Sequence, residues 1–320
     1  MSKLALIVGG STLVYAVLAL MMAVLPGFEL SRIPAGAGVH PLTAIEARGR
    51  EVYVANGCSY CHTQQVRPVE EDKIFGRPSA PSDFKYQTPE LLGSERTGPD
   101  LTNIGVRQPS SVWQYIHLYE PRAVVPESIM PSFSWLFDVV DRAPAGVSPV
   151  PLPKEYAPAH GVVVPGRDAE ALIAYLAALK QPPWQGSEAA TGDTANAVPV
   201  ANSAAPTGGY DAAKGASLYT ANCSACHQAS GEGLPGAFPP LKGNGVVNND
   251  DPTQHIHVVL HGLQGTSVGG VIYAAVMPPF AATLSDADVA DIIDYERSSW
   301  GNHARPAAAT QVAAERAKPK

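Results

Sequence analysis

The chain is 320 residues long, which accommodates about two domains with small cores. Charged residues are only 16% of it, and the 29 glycines and 30 prolines suit small, loop-rich units. The net charge of -7 argues against a nucleic-acid partner, which needs a basic face. The charge is uneven: residues 26–182 carry -3, residues 183–302 carry -8, and the last 18 carry +3.

Leu4 to Leu25 is a run of 22 residues without a charge. At about 1.5 Å per residue, a helix of that length spans a hydrocarbon core of roughly 30 Å. A cleaved signal peptide would have an apolar region of about 7–15 residues and a small-residue cleavage site. This run is longer, and Val24-Leu25-Pro26-Gly27 is a poor site. A retained anchor over residues 1–30 is the better reading. Lys3 before it favours a cytoplasmic N-terminus.

Residues 43–56 read as a helix, capped by Thr43, with Ala44, Ala47, Val52 and Ala55 at apolar spacing. Asn56-Gly57 ends it directly before Cys58-Ser59-Tyr60-Cys61-His62. The same pattern returns at Cys223-Ser224-Ala225-Cys226-His227. Both are C-x-x-C-H, the attachment pattern of c-type haem. Two thiols one helical turn apart add across the haem vinyl groups, and the following imidazole binds the iron. The chain has four cysteines and these motifs use all of them. Zinc is the weaker alternative, since it wants four Cys/His ligands at one site and each motif offers three. A structural disulfide is the other weaker alternative. The expected cofactors are two covalently bound c-type haems, each with iron. Bacteria attach such haems outside the cytoplasm, so the chain is expected to cross the inner membrane once and hold both haem domains in the periplasm.

Each iron needs an opposite ligand, and a thioether raises the potential and suits electron transfer. Outside the N-terminal run there are two methionines, Met130 and Met277, one downstream of each motif and each followed by proline. Proline after the methionine holds the chain extended, so a loop can deliver the sulfur. The expected iron ligands are therefore His62 with Met130 and His227 with Met277. His117, His255, His257 and His261 are competing candidates, of which His257 and His261 sit four apart on one helix face.

After His62 comes the polar stretch to Pro68, then an irregular loop over residues 69–98. Gly98-Pro99-Asp100-Leu101 is a turn able to lie over the haem edge. Ser111 to Tyr119 reads as a short helix with Trp113, Ile116 and Leu118 as core. Residues 141–166 are proline-rich and expected to be structureless. Asp168 to Leu179 closes the first domain (40–182) as a helix, with Leu172, Ile173, Leu176 and Leu179 on its apolar face. Residues 183–209 form a linker rich in Ala, Pro, Gly, Ser and Thr. The layout then repeats over 210–302: a helix from Asp211 to Asn222, the second motif, a Gly/Pro loop to Pro240, a helix from Thr253 to Leu263, Met277, and a closing helix from Ser285 to Ser299 capped by Ser285. The tail, 303–320, is basic and expected to be disordered. The fold class is mainly α: one transmembrane helix followed by two cytochrome c-type α-helical haem domains.

Several long strings resemble a known family. Gly49-Arg50-Glu51-Val52-Tyr53, Asn56 to Pro68, Gly93-Ser94-Glu95-Arg96-Thr97-Gly98-Pro99-Asp100-Leu101, His117-Leu118-Tyr119 and Val125-Pro126-Glu127-Ser128-Ile129-Met130-Pro131-Ser132 resemble the membrane-anchored c-haem subunit of the cbb-type haem–copper cytochrome c oxidases. That resemblance covers the anchor through about residue 180. It implies a catalytic haem–copper partner with b-type haems and copper, which receives the electrons, and it places His62 and Met130 at the family's axial-ligand positions. The family's subunit usually stops there. The second domain, through Asn222-Cys223 to Gln228, Gly233 to Leu241 and Met277-Pro278-Pro279-Phe280, is similar to class I cytochrome c domains fused to oxidases and membrane dehydrogenases.

The expected function is a di-haem electron-transfer subunit with no catalytic residues and no oxygen site of its own. A soluble periplasmic donor, itself a cytochrome c, docks on the acidic second domain, since opposite fields speed encounter. Electrons then pass to the first domain and on to the partner. Arg67 and Arg96 are candidates for haem-propionate or partner contacts. One rival is a di-haem peroxidase, which needs an open sixth position on one iron. Others are the small cytochrome subunit of a nitric oxide reductase and the cytochrome subunit of a membrane dehydrogenase.

Overall fold

The computed structural model describes residues 3–93, 95–181, 210–265, 267–273 and 275–318. Its regular structure is mainly helical, and its chain divides into two compact units. The stretch expected as the first domain, 40–182, contributes to both, and the linker expected over 183–209 lies outside the described residues.

The first unit contains the N-terminal helix and residues 57–103, with Lys180 and Gln181. Helix α1 (Lys3–Arg32) is long and apolar enough to cross a membrane, and none of its apolar side chains is covered. It continues beyond the expected Leu25. Proline cannot donate to the i−4 carbonyl, and the turn before Pro26 widens to π geometry over Leu20–Val24, which lets the helix run on to Arg32. The expected loop after His62 is ordered by two short 3-10 segments, Glu70–Phe75 and Pro81–Phe84. Asn103 ties this region together: its Nδ2 donates to Phe75 O at 2.8 Å and its Oδ1 accepts from Gln181 N at 2.7 Å.

The second unit contains residues 45–56, 104–179 and the chain described from Tyr210 onward. Helix α2 (Ala44–Ala55) buries Gly49, Val52 and Tyr53, and helix α4 (Arg167–Ala178) buries Leu172, Ile173, Tyr175 and Leu176. They meet at Gly49, where a side chain would overlap the carbonyl of Ala171, and at the edge-on ring pair Tyr53–Tyr175, 5.6 Å between centroids. Helix α3 (Ser111–Tyr119) packs on α4 and is capped by Ser110 Oγ, with Trp113, Ile116 and Leu118 buried as expected.

One expectation is corrected here. Within 141–166, Val162–Pro165 forms a strand, β2, paired antiparallel with β1 (Phe137–Val140). The run Val162-Val163-Val164 is β-branched and buries its centre, and Gly161 enters it at φ 77, where a side chain would meet Val140 O.

The framework of α2 and α4 is repeated by α5 (Ala212–Asn222) and α7 (Asp286–Ser298). Gly215 abuts the Asp291 carbonyl and Tyr295, and Tyr219 stacks on Tyr295 at 5.2 Å. Asp211 caps α5, and Ser285 with Asp288 forms a capping box on α7. Helix α6 (Thr253–His261) supplies Ile256, Val259 and Leu260 to the same core. Arg297 is fully buried and donates to the carbonyls of Val247, Asn249 and Arg305, so its charge is spread over three backbone acceptors.

The expected disordered tail is a second correction. Helix α8 (Ala309–Arg316) is ordered, buries Val312 completely and packs on α6 and α7. Ala307, just before it, is buried with its N–H on Asp294 Oδ1. An alanine-rich segment has high helix propensity, and one buried valine plus paired charges suffices once a surface is present.

Candidate functional site

Each C-x-x-C-H motif follows a helix end. Gly57, at φ 69, turns the chain out of α2, and its open side is covered by the Tyr60 ring. His62 then hydrogen-bonds through Nδ1 to Pro99 O at 2.7 Å. In the second motif His227 does the same to Pro239 O at 2.9 Å. A carbonyl accepts only, so Nδ1 carries the proton in both, and each imidazole is left with Nε2 as its lone-pair nitrogen. This is the tautomer and orientation that an axial iron ligand requires.

The first proximal segment is held by a short ladder. Gly98 N donates to Cys61 O at 2.9 Å and Leu101 N to Thr63 O at 2.8 Å. Gly98 lies flat on the His62 ring, where any side chain would strike the imidazole. Asp100, fully buried, accepts from Thr63 Oγ1 at 2.6 Å, Gln65 N at 2.9 Å and Thr102 N at 2.8 Å. Arg96 donates to Thr63 Oγ1, to Gln65 O and to Asp72, and Arg67 donates to Asp72 through Nε and Nη2. The two arginines hold the fully buried Asp72 carboxyl far below the usual carboxylate range. Both candidates thus belong to an ion-pair network that braces the segment after His62. Arg67 keeps about half of its side chain exposed.

Met130 lies in the second unit, half-buried, with its N–H on Ser128 Oγ at 3.2 Å and its carbonyl accepting from Arg122. His117 stacks on Trp113, with 4.5 Å between rings.

In the second domain the structure brings every predicted residue to one cavity. Cys223, Cys226, His227 and Met277 all line it, with apolar walls that include Val259 and Leu284. Met277 is fixed by a two-way backbone pairing with Leu263, at 2.9 and 3.2 Å. His255 and Glu296, both buried, pair at 2.7 Å in the cavity wall. His257 bonds Glu315 at 3.0 Å and packs against His261.

The donor set fits covalent c-type haem. All four cysteines are free. Burial raises the Cys58 thiol to about 11 and the Cys226 thiol to about 12, so these positions disfavour a thiolate. A thioether sulfur is neutral and suits such a wall. The repeated Gly–Tyr helix contacts and the shared His–Pro carbonyl bond went unread in the sequence. The first was signalled by Gly49/Tyr53 and Gly215/Tyr219 at identical spacing. The second had no constant spacing to reveal it, since the prolines follow their histidines by 37 and 12 residues.

A family model described as cytochrome c oxidase, mono-heme subunit/FixO matches residues 2–145, and a cytochrome c model matches residues 212–300. The chain is 35% identical over 138 residues to the cytochrome c subunit of alcohol dehydrogenase (quinone) from Gluconacetobacter polyoxogenes, covering 43% of this chain and 28% of that protein. It is 40% identical over 98 residues to the gluconate 2-dehydrogenase cytochrome c subunit of Pantoea cypripedii, covering 30% of this chain and 22% of that one. It is also 40% identical over 94 residues to cytochrome c-552 of Thermus thermophilus, covering 28% of this chain and 70% of that protein. The chain thus spans less than a third of the two dehydrogenase subunits.

Proposed function

The chain belongs to the cytochrome c family, joining a domain of the cytochrome c oxidase mono-heme subunit type to a second cytochrome c domain, and on that footing we propose that it is the di-haem electron-transfer subunit of a cbb-type terminal oxidase. Its cofactor is covalently bound c-type haem iron. When bound, such a haem supplies a one-electron carrier whose potential follows its axial ligands, burial and hydrogen bonds.

The residues divide the work as follows. Cys58 with Cys61, and Cys223 with Cys226, make the covalent attachments. His62 and His227 are the proximal ligands, each oriented by a proline carbonyl. Met130 and Met277 would each offer a thioether sulfur to the iron. The Asp72–Arg67–Arg96 network keeps the first proximal segment rigid, so the ligand geometry changes little with the charge on the iron. Helix α1 anchors the chain in the bacterial inner membrane with both haem domains in the periplasm. A soluble cytochrome c docks on the acidic second domain, which passes electrons to the first, and the first delivers them to a catalytic subunit with b-type haems and copper.

The observation that carries this reading is the oxidase-subunit match over residues 2–145, which takes in both the apolar helix and the first motif with Met130. Met277→Ala in the intact complex tests it. Oxygen uptake with the natural donor is expected to fall at least tenfold; unchanged uptake would overturn the serial order. A second reading has its own support: relatives are named as cytochrome subunits of alcohol and gluconate dehydrogenases. In that case the donor is an attached dehydrogenase subunit, and alcohol or sugar-acid oxidation copurifies with the chain.

A further inference from the structure

Met277 is followed by Pro278 and Pro279, which have no N–H to donate. Beyond the backbone pairing of Met277 with Leu263, the loop is held from outside on two further sides. On one side its N–H groups reach α6: Phe280 N to Val259 O at 3.1 Å and Ala281 N to Leu260 O at 3.1 Å. On the other its carbonyls face α8. Arg316 donates through Nη1 to Ala281 O and through Nη2 to Leu284 O at 2.9 Å, while its Nε donates to Asp286 Oδ1 at 2.7 Å. One guanidinium therefore closes the stretch from Ala281 to the start of α7.

Helix α8 is itself well seated. Val312 is fully buried, Ala307 N is bound by Asp294, and Glu315 is bonded by His257 from α6. It also lies beyond residue 300, where the cytochrome c match ends. Met130 is bonded by Ser128 and Arg122, and the residues after it reach α3 in the same way, Phe133 N to Leu118 O at 2.8 Å and Ser132 Oγ to Tyr119 O.

We propose that α8 is a strap added to the second haem domain and that Arg316 is a positioning residue for Met277. The inference rests on the reading of Met277 as the sixth ligand. Arg316 acts through the loop, by its bonds to Ala281, Leu284 and Asp286. It limits the excursions of the loop, so the state with sulfur off the iron is sparsely populated. An external ligand competes only through that state, and its apparent affinity scales with the fraction present.

The test uses the full-length ferric holoprotein, titrated with imidazole while the far-red sulfur–iron(III) charge-transfer band is followed. Met277→Ala defines the share of the band that belongs to the second site. Arg316→Gln is expected to lose that share at about tenfold lower imidazole than the parent, equivalent to about 1.4 kcal/mol. Arg316→Lys, which keeps the charge but not the fork, is expected to fall between. Asp286→Asn, which leaves both carbonyl bonds in place, is expected to shift the same way by less, and it decides the matter if Arg316→Gln does not fold. Parental imidazole midpoints in these variants, with the band responding to Met277→Ala, would overturn the strap alone. An unchanged band in Met277→Ala would overturn the ligand assignment and the strap with it.

Discussion

Gly49 presses its bare Cα face against the backbone carbonyl of Ala171, and a methyl group there would overlap that oxygen. The same relation joins Gly215 to Asp291 in the second domain. Each glycine sits four residues before a buried tyrosine, Tyr53 and Tyr219, that packs on the partner helix. The opening helix of each domain can therefore cross its closing helix at backbone contact.

Gly49→Ala and Gly215→Ala are expected to destabilise despite better helix propensity. Alanine gains about 1 kcal/mol over glycine in a helix interior. Overpacking against backbone costs about 1–3 kcal/mol and here has nothing flexible to yield. A net loss of up to about 2 kcal/mol is expected, read as a lower denaturant midpoint at unchanged slope.

The Asp72 network predicts acid sensitivity. Arg67 and Arg96 depress the folded-state pKa of Asp72 below its unfolded value. Its contribution is therefore fully present above the ordinary carboxylate pKa of about 3.9 and is lost as pH falls below it. Asp72→Asn removes the shared charge while Arg67 stays half-exposed and Arg96 keeps Thr63 and Gln65, so it is expected to cost about 1–3 kcal/mol at neutral pH. Unfolding between pH 7 and pH 2 checks both: the gap between parent and variant narrows as pH falls below about 4.

Asp294 predicts the opposite slope. Burial raises its carboxyl to about 6, against a partial offset from the Ala307 N–H. The folded state then holds the proton more tightly than the unfolded state does. Stability attributable to this group falls as pH rises from about 4 to about 6 and stays low above. Asp294→Asn is expected to flatten that decline, by on the order of 3 kcal/mol if the whole shift is expressed. Thermal melts across that range measure it.

Much of this was legible from local chemistry. The motifs, the helices around them, the Ser285 cap and the Met–Pro loops each depend on residues close together in sequence. What escaped depends on distant partners. The β1–β2 pair needs Val162-Val163-Val164 to find Phe137–Val140, and the prolines around it read as loop. Helix α8 looks like a solvated tail until α6 and α7 offer it a surface. Arg67 and Arg96 read as exposed candidates because nothing local shows that Asp72 is buried between them.

The most direct measurement is the cofactor content of the membrane complex purified through this chain, by haem extraction, haemochrome spectra and metal analysis. The account predicts two c-type haems per chain, together with b-type haems and copper from the partner. A complex with flavin or quinone enzyme and no copper, or a chain with fewer than two covalent haems, would contradict it.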